Sequence, residues 1–291
     1  MTELPLGGPE LLETGLGRRR RRGVPIVIAI CLLIVLVVAA CVVAPGAIAP
    51  HDPSAQDLTL GVGGSRAGHL LGTDKLGQDI LSRIIAGART AVLGPIVIAV
   101  GAMLIGSLLG TLAGYRAGLV DSVIMRTADL LYAMPGLLVA IVVVGVLGGG
   151  YWLAVGLLLV LSAPYDARLI RGATLEQRPR PYVEAAQALG LPARTIMFRH
   201  IWPNVLPVVI ANTFLTFAFS IVSLAALSFL GLGVSPGTAD WGRMIADSRE
   251  QIFDEPIVVL APAAALVITA AAVNLIGDWL YERLSDRGRA R

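Results

Sequence analysis

The sequence predicts an all-α membrane protein with six transmembrane helices, and three observations support this fold class. First, 56% of the 291 residues are apolar and 15% are charged, whereas soluble domains average roughly 25% charged residues. Second, the chain repeatedly presents apolar runs of the length that a bilayer crossing requires, which is about 20 residues. Third, seventeen of the 23 lysine and arginine residues fall in segments on one predicted side of the membrane. The positive-inside rule makes that side cytosolic.

The chain begins with a polar tail at 1–22 that ends in the run Arg18–Arg22. The tail has no apolar periodicity, so we predict a disordered cytosolic segment whose arginines meet the anionic inner leaflet. A first membrane helix is predicted over 23–45, because Val24–Ala44 carries no charge. Since the arginine run adjoins this helix, we expect it to contact the lipid bilayer and not nucleic acid.

A polar loop over 46–86 is predicted to lie outside the cell membrane. It contains two histidines, His51 and His69, and four aspartates, Asp52, Asp57, Asp74 and Asp79. These residues lack the close spacing of a zinc motif. We therefore expect solvated or helix-capping acids in this loop and no metal site.

The other five membrane helices are predicted within 87–282. The second helix, from about 89 to 114, is rich in glycine, which lets helices approach closely in lipid. The third, from about 121 to 147, is interrupted by Pro135. The fourth, fifth and sixth helices are predicted at about 151–171, 207–230 and 257–280, followed by a cytosolic tail at 283–291.

Two smaller features of these helices are predicted from residue spacing. Arg126 and Asp129 lie three residues apart, so they can pair on one face of the third helix. Pro164 is predicted to mark the exit of the fourth helix into the cytosolic loop. Few ionisable groups lie in the predicted helices, which disfavours a carrier built on intramembrane acids.

The segment 181–203, between the fourth and fifth membrane helices, predicts two short helices joined by a bend. Glu184–Leu189 is rich in alanine, the best helix former, and Gly190 supplies a left-handed stop. Pro192 is suited to the first turn of the second helix, which Pro203 is expected to close. Three alanines are predicted to form a small flat face: Ala185, Ala186 and Ala188.

The spacing of Glu184-Ala185-Ala186, Gly190 and Pro203 resembles the EAA loop of bacterial binding-protein-dependent ABC importers. In that family the two helices are coupling helices that dock into a groove on a separate ATPase subunit. Trp202 departs from the usual leucine, while a histidine such as His200 is common in the peptide-importer branch. The resemblance assigns ATPase coupling to Glu184, Ala185, Ala186, Gly190, Arg194, His200 and Pro203.

Three further segments resemble the C-type permeases of dipeptide and oligopeptide importers: 69–79, 228–250 and 274–280. With them the resemblance covers about 44–282 and implies a type I ABC importer permease fold in the bacterial inner membrane, with both termini cytosolic. It also implies four kinds of partner: a second homologous permease, two cytosolic ATPases, an extracytoplasmic binding protein and the bilayer. ATP and Mg are then bound by the ATPases, because this chain has no Gly-Lys-Ser/Thr motif.

Two sets of site residues are predicted with less support from pattern. The acidic outer loops suggest a docking face for the binding protein, with Asp74, Asp79, Asp240, Trp241 and Asp247. Polar residues on the last two membrane helices suggest a pore lining, with Asn212, Thr216, Ser220, Ser223 and Asn274. The alternative for the second set is hydrogen bonding between helices.

Together these features predict the permease subunit of an ATP-driven importer that moves di- or oligopeptides by alternating access. No nucleophile–base pair or zinc spacing is present, so we expect a transport subunit without catalytic residues. Alternatives remain open: the same machinery carrying nickel, haem or glutathione, or a secondary carrier, scaffold or channel that works without ATPases.

Overall fold

All regular structure in the described part of the chain is helical. The structure is a computed structural model that describes residues 24–289, with side chains to Ser285; the predicted tail at 1–22 with its arginine run lies outside these residues. Within 24–289 no β-strand is present. The helices are α1 Ile26–Val43, α2 Pro45–Ile48, α3 Ile80–Arg116, α4 Gly118–Tyr132, α5 Gly136–Val146, α6 Tyr151–Gln177, α7 Pro181–Ala188, α8 Ala193–Thr195, α9 Trp202–Phe229, α10 Trp241–Ser248 and α11 Pro256–Arg289.

Five helical runs are long and apolar enough to cross a membrane: α1, α3, α6, the continuous run Ala193–Phe229 and α11. The pair α4 and α5 passes the same test as one unit, bent by 76°. Pro135 stands at the break and is the N-cap of α5, where its missing N–H costs no helical hydrogen bond. Counted as one broken span, the pair completes the six spans that the sequence predicts.

Three helix bounds differ from the sequence prediction. Helix α3 begins at Ile80, before the predicted start near 89, because the Asp79 carboxylate caps it by accepting the Ser82 N–H. Helix α6 passes through Pro164 and ends at Gln177, so the predicted exit at Pro164 is wrong. Prolines are tolerated inside membrane helices because neighbouring groups satisfy the freed backbone atoms. Helix α11 likewise continues through most of the predicted tail at 283–291.

Helices α3 and α6 pack closely because glycines recur at four-residue spacing on α3. A Cβ atom at Gly106, Gly110 or Gly114 would overlap atoms of α6. At Gly110 the three nearest α6 atoms are the Ala167 carbonyl oxygen, the Ile170 Cβ and the Arg171 backbone nitrogen. The predicted close approach of this glycine-rich helix is therefore confirmed.

Helix α1 lies at the periphery of the bundle against α11 and α3. It buries Ile28, Cys31 and Cys41 and leaves most of its other apolar side chains exposed, such as Leu36. An exposed apolar helix is stable where lipid tails surround it, since each backbone polar group is bonded within the helix. Helix α1 is therefore a lipid-facing span.

The short helix α4 is held to α6 by two ion pairs. Asp129 pairs with Arg168, and Asp121 forms two hydrogen bonds with Arg171. The predicted pair of Arg126 with Asp129 is therefore wrong. The i,i+3 spacing permits that pair, but the neighbouring helix offers Asp129 another guanidinium.

Candidate functional site

The turn between α7 and α8 is built by its glycine. Gly190 has φ +71°, in the left-handed region that residues with a side chain rarely adopt. The Gly190 N–H donates to Gln187 O at 2.9 Å and the Leu191 N–H to Ala186 O at 3.2 Å. These two bonds define a Schellman motif, so the predicted stop at Gly190 is confirmed.

Helix α7 has one face packed on the bundle and one exposed face. Val183 and Ala186 are buried in a cluster with residues of α6 and of the run after α8. Glu184, Ala185 and Leu189 are exposed, Leu189 with 80% of its surface. The predicted flat face of three alanines is therefore wrong at Ala186, because the 3.6-residue period turns that side chain inward.

The second half of this segment is one continuous helical run. Residues Ile196–Ile201 form a π turn that leads directly into α9, and Pro203 lies in the first turn of α9. Pro203 thus does not close a helix, contrary to the prediction, because the first turn tolerates a residue without an N–H. The His200 carbonyl accepts the Asn204 side-chain amide at 2.7 Å. Arg194 is exposed.

A cavity of about 520 Å³, here called the central cavity, opens between the α4–α5 break, α6 and α9. Most of its wall is apolar, and its polar lining comes from one acid and several hydroxyls. These polar residues are Tyr132, Ser162, Tyr165, Asp166, Thr216, Ser220 and Ser223. Three of the predicted pore residues therefore share one cavity.

A second cavity of about 330 Å³, here called the α11 cavity, adjoins the first and shares Tyr165 and Leu215 with it. It is lined by the other two predicted pore residues, Asn212 and Asn274, and by Asp278. The predicted pore set thus falls on two neighbouring cavities that follow α9 along its length. The pore lining stays a prediction.

Asp166 is the residue in these cavities that sequence reasoning missed. It is 1% exposed, and its Oδ1 atom accepts the Asn212 amide at 2.6 Å and the Thr216 hydroxyl at 3.4 Å. The available signal was a single acid within an apolar run, which marks a functional site by default. It was overlooked because Arg168 and Arg171 follow so closely that the segment looks like a membrane interface.

Polar side chains on α9 show that the alternative, hydrogen bonding between helices, holds for some residues only. Thr213, Ser220 and Ser223 each donate to the carbonyl four residues earlier in their own helix. Asn212 and Thr216 instead bond across to Asp166 on α6. Only the latter pair joins two helices.

At the opposite end of the bundle from α7, Asp79 organises the loop before α3. Its Oδ2 atom accepts from the Ser82 N–H at 2.8 Å and from the Ser82 hydroxyl at 2.6 Å, and its Oδ1 atom lies 2.9 Å from His69 Nδ1. His51 stacks on His69 with ring centroids 4.8 Å apart. The expectation of a helix-capping acid is confirmed at Asp79.

The same contacts bring together groups that the sequence separates. Ligand atoms of His51, His69 and Asp79 lie within 4.8 Å of one another, as in groups that can hold a metal ion. The hydrogen bonds of Asp79 to Ser82 and His69 account for this arrangement without an ion. The absence of a metal here stays a prediction.

Three of the five residues predicted to form a docking face are buried. Asp79, Asp240 and Trp241 are 3%, 4% and 2% exposed. Asp240 caps α10 by accepting the Arg243 N–H, and the Trp241 indole donates to Ile84 O at 2.9 Å. These side chains cannot contact a docked protein, so the prediction is wrong for them.

The other two docking residues are half-buried in ion pairs within the chain. Asp74 lies 3.6 Å from Arg83 Nε, and Asp247 lies 3.1 Å from Arg243 Nε. The sequence does not show which acidic residues form ion pairs within the chain. For Asp74 and Asp247 docking stays a prediction.

We expect Asp79→Ala to lower the free energy of unfolding by about 1–2 kcal/mol, the range for a lost helix cap. Burial raises the pKa of Asp79, but the hydrogen bonds from Ser82 and His69 together lower it by more, so the net pKa lies below its usual value. The stabilisation is therefore present above the usual aspartate pKa and is lost as pH falls through the lowered pKa. Melting of the purified protein in detergent measures both effects.

Asp57→Ala is the matched control, because Asp57 is an exposed acid of the same loop that bonds only within a local turn, to Thr59. It should melt as the unaltered protein does. Equal melting of Asp79→Ala and Asp57→Ala would contradict the role given to Asp79.

A helical membrane bundle with an adjoining pair of partly polar cavities and an exposed helical turn at one end defines a membrane transport subunit. Residues 106–289 match the model of the family described as binding-protein-dependent transport system inner membrane component. The chain belongs to this family and is therefore an inner-membrane permease subunit of an ABC importer, a transport component.

The relatives agree with this assignment over most of the chain. A glutathione transport system permease protein of Pectobacterium atrosepticum is 40% identical over 224 residues, covering 77% of this chain and 74% of the relative. A di/tripeptide transport system permease protein of Pseudomonas aeruginosa is 37% identical over 88% of this chain and 86% of its own length. A probable D,D-dipeptide transport system permease protein of Escherichia coli K12 is 34% identical over 91% and 89%.

Among solved structures, the inward-facing MetNI methionine ABC transporter is similar in fold. It matches with a TM-score of 0.57 and 19% identity, covering 70% of this chain and 97% of that one. The type I importer fold that the resemblance implied is thereby confirmed. As a member of this family, the chain works with ATPase and binding-protein components.

Proposed function

We propose that this chain is one of two different permease subunits of a peptide importer, and that di- or tripeptides pass through the bundle beside α9. The observation that carries the proposal is the pair of adjoining cavities along α9, lined by polar groups within an otherwise apolar bundle. The names of the relatives support a peptide cargo, since glutathione is itself a tripeptide. The alternative cargoes for the same kind of importer are nickel and haem.

In this proposal the exposed face of α7 contacts an ATPase subunit. Helix α7 is short, stops sharply at Gly190 and is anchored to the bundle by Val183 and Ala186. When the ATPase displaces the exposed residues Glu184 and Leu189, the displacement is therefore transmitted to α6 and α9, because a close-packed interior has low compressibility. ATP and Mg are held by the ATPases, and both termini lie with α7 in the cytosol.

Reconstitution tests the cargo and the energy source together. The chain, its partner permease and their ATPases are placed in liposomes with the binding protein, and uptake of labelled trialanine, glutathione and Ni²⁺ is measured. We expect peptide uptake that needs both ATP and the binding protein. Uptake of Ni²⁺ alone would overturn the peptide cargo, and uptake that continues without ATP would indicate a secondary carrier or channel.

A further inference from the structure

The Asp166 carboxylate is incompletely satisfied within the bundle. Its Oδ1 atom receives the hydrogen bonds from Asn212 and Thr216. Its Oδ2 atom is buried and has no hydrogen-bond partner among the residues that the structure describes. A buried acceptor without a partner costs free energy, so its presence in a membrane helix calls for a ligand.

The cations nearest to Asp166 along α6 are already engaged with other groups. Arg168 pairs with Asp129 and lies over the Tyr132 ring, 5.2 Å from its centroid. Arg171 is bonded to Asp121. Within 24–285 no side-chain cation forms an ion pair with Asp166, so its charge is available for a cation from outside the chain.

The position of Asp166 places this charge beside the proposed route. Asn212, Thr216, Ser220 and Ser223 follow one another at intervals of four, four and three residues, which puts them on one face of α9. Asp166 meets this polar stripe through Asn212 and Thr216 and lines the central cavity. A volume of about 520 Å³ lies in the range typical of small-ligand pockets.

We propose that Asp166 binds the ammonium group of a peptide as it passes through the permease, which specifies a ligand chemistry within the proposed function and rests on it. One oxygen is free while the other is occupied, which suits a compact ammonium better than the two-pronged guanidinium of arginine. The apolar wall of the cavity then receives the peptide side chains. Since Oδ2 is enclosed in this conformation, the contact forms when alternating access opens the cavity.

Binding of two probes that differ in one charge tests the proposal. The complex with its ATPases is placed in nanodiscs, trapped with ATP and vanadate, and freed of binding protein; affinities for trialanine and N-acetyl-trialanine are then measured. We expect trialanine to bind about tenfold more tightly or better, the factor that one charge-assisted hydrogen bond supplies. Asp166→Asn should lower trialanine to the affinity of the acetylated probe and leave that probe unchanged.

Asp57→Asn is the matched control, since it makes the same chemical change at an exposed acid of the loop before α3 that lines neither cavity. It should keep the preference for trialanine. Equal affinity of the unaltered complex for both probes would overturn the proposal without any variant, and so would a preference that survives Asp166→Asn.

The two levels of the proposal fail in different ways. If the unaltered complex imports trialanine with ATP but shows no preference for the free amine, the role of Asp166 is overturned and the peptide function stands. If the complex imports no peptide, the proposed function and the ammonium ligand are both overturned.

Discussion

Gly110→Leu should prevent this permease from folding into a stable bundle. A Cβ atom at Gly110 would lie 3.0 Å from the backbone nitrogen of Arg171 and closer still to the carbonyl oxygen of Ala167. Backbone atoms cannot rotate away as a side chain can, so α3 and α6 must separate. The expected loss of stability is on the order of 3 kcal/mol, at the upper end for overpacking, and it is measured as lost yield and a lower melting temperature in detergent.

Gly172→Ala provides the control within the same pair of helices. Gly172 lies on α6, and a Cβ atom added there meets nothing within 4 Å. Alanine is favoured over glycine inside a helix by roughly 1 kcal/mol, so this variant should be at least as stable as the unaltered protein. If Gly110→Leu had the same melting temperature as Gly172→Ala, the two helices would not pack as described.

Gly190→Asp and Glu184→Lys should abolish ATP-driven uptake while leaving the protein in the membrane. At Gly190 a side chain has open space but sits at φ +71°, which costs about 1–2 kcal/mol, too little to unfold the bundle. The change alters the shape of the exposed turn that meets the ATPase. Glu184→Lys reverses a charge in the first turn of α7, where the helix dipole favours an acid.

The measurement is ATP-dependent uptake by the reconstituted complex, together with retention of the ATPase subunits during purification. Gly148→Asp is the matched control, because Gly148 also has a positive φ, of +90°, and open space, but lies between α5 and α6. It should transport normally. Normal uptake and ATPase retention in Gly190→Asp would mean that the α7 turn is an ordinary loop.

The sequence was sufficient for features that depend on local chemistry. The left-handed stop at Gly190, the break at Pro135 and the close approach of the glycine-rich helix α3 were all predicted correctly. Each follows from the backbone freedom or the size of a single residue type. The spans follow from apolar length, which the bilayer sets.

Features that depend on the identity of the neighbouring helix were predicted poorly. Asp129 has Arg126 within reach on its own helix but pairs with Arg168 on the next one. Asp240 and Trp241 look like loop residues, yet they are buried where α10 packs on α3. In both cases the partner is set by tertiary packing, which residue spacing does not report.

The exit from α6 shows a third reason for error. The fourth helix was expected to leave the bundle at Pro164 and to end near 171, but α6 continues unbroken through Pro164 for more than three turns, to Gln177. Surrounding helices make such prolines tolerable in membranes. The same mistaken exit concealed Asp166, because the segment after Pro164, with Arg168 and Arg171, was interpreted as a membrane interface.

The placement of α7 against an ATPase is tested most directly by the reactivity of a cysteine at position 187. Gln187 is exposed on α7, and Gln187→Cys is made after Cys31 and Cys41, the two buried free thiols, are replaced by alanine. With a membrane-impermeant thiol reagent we expect no labelling in intact cells, labelling in permeabilised cells that lack the ATPases, and protection once the ATPases are assembled. Labelling in intact cells, or equal labelling with and without the ATPases, would contradict the coupling role of α7.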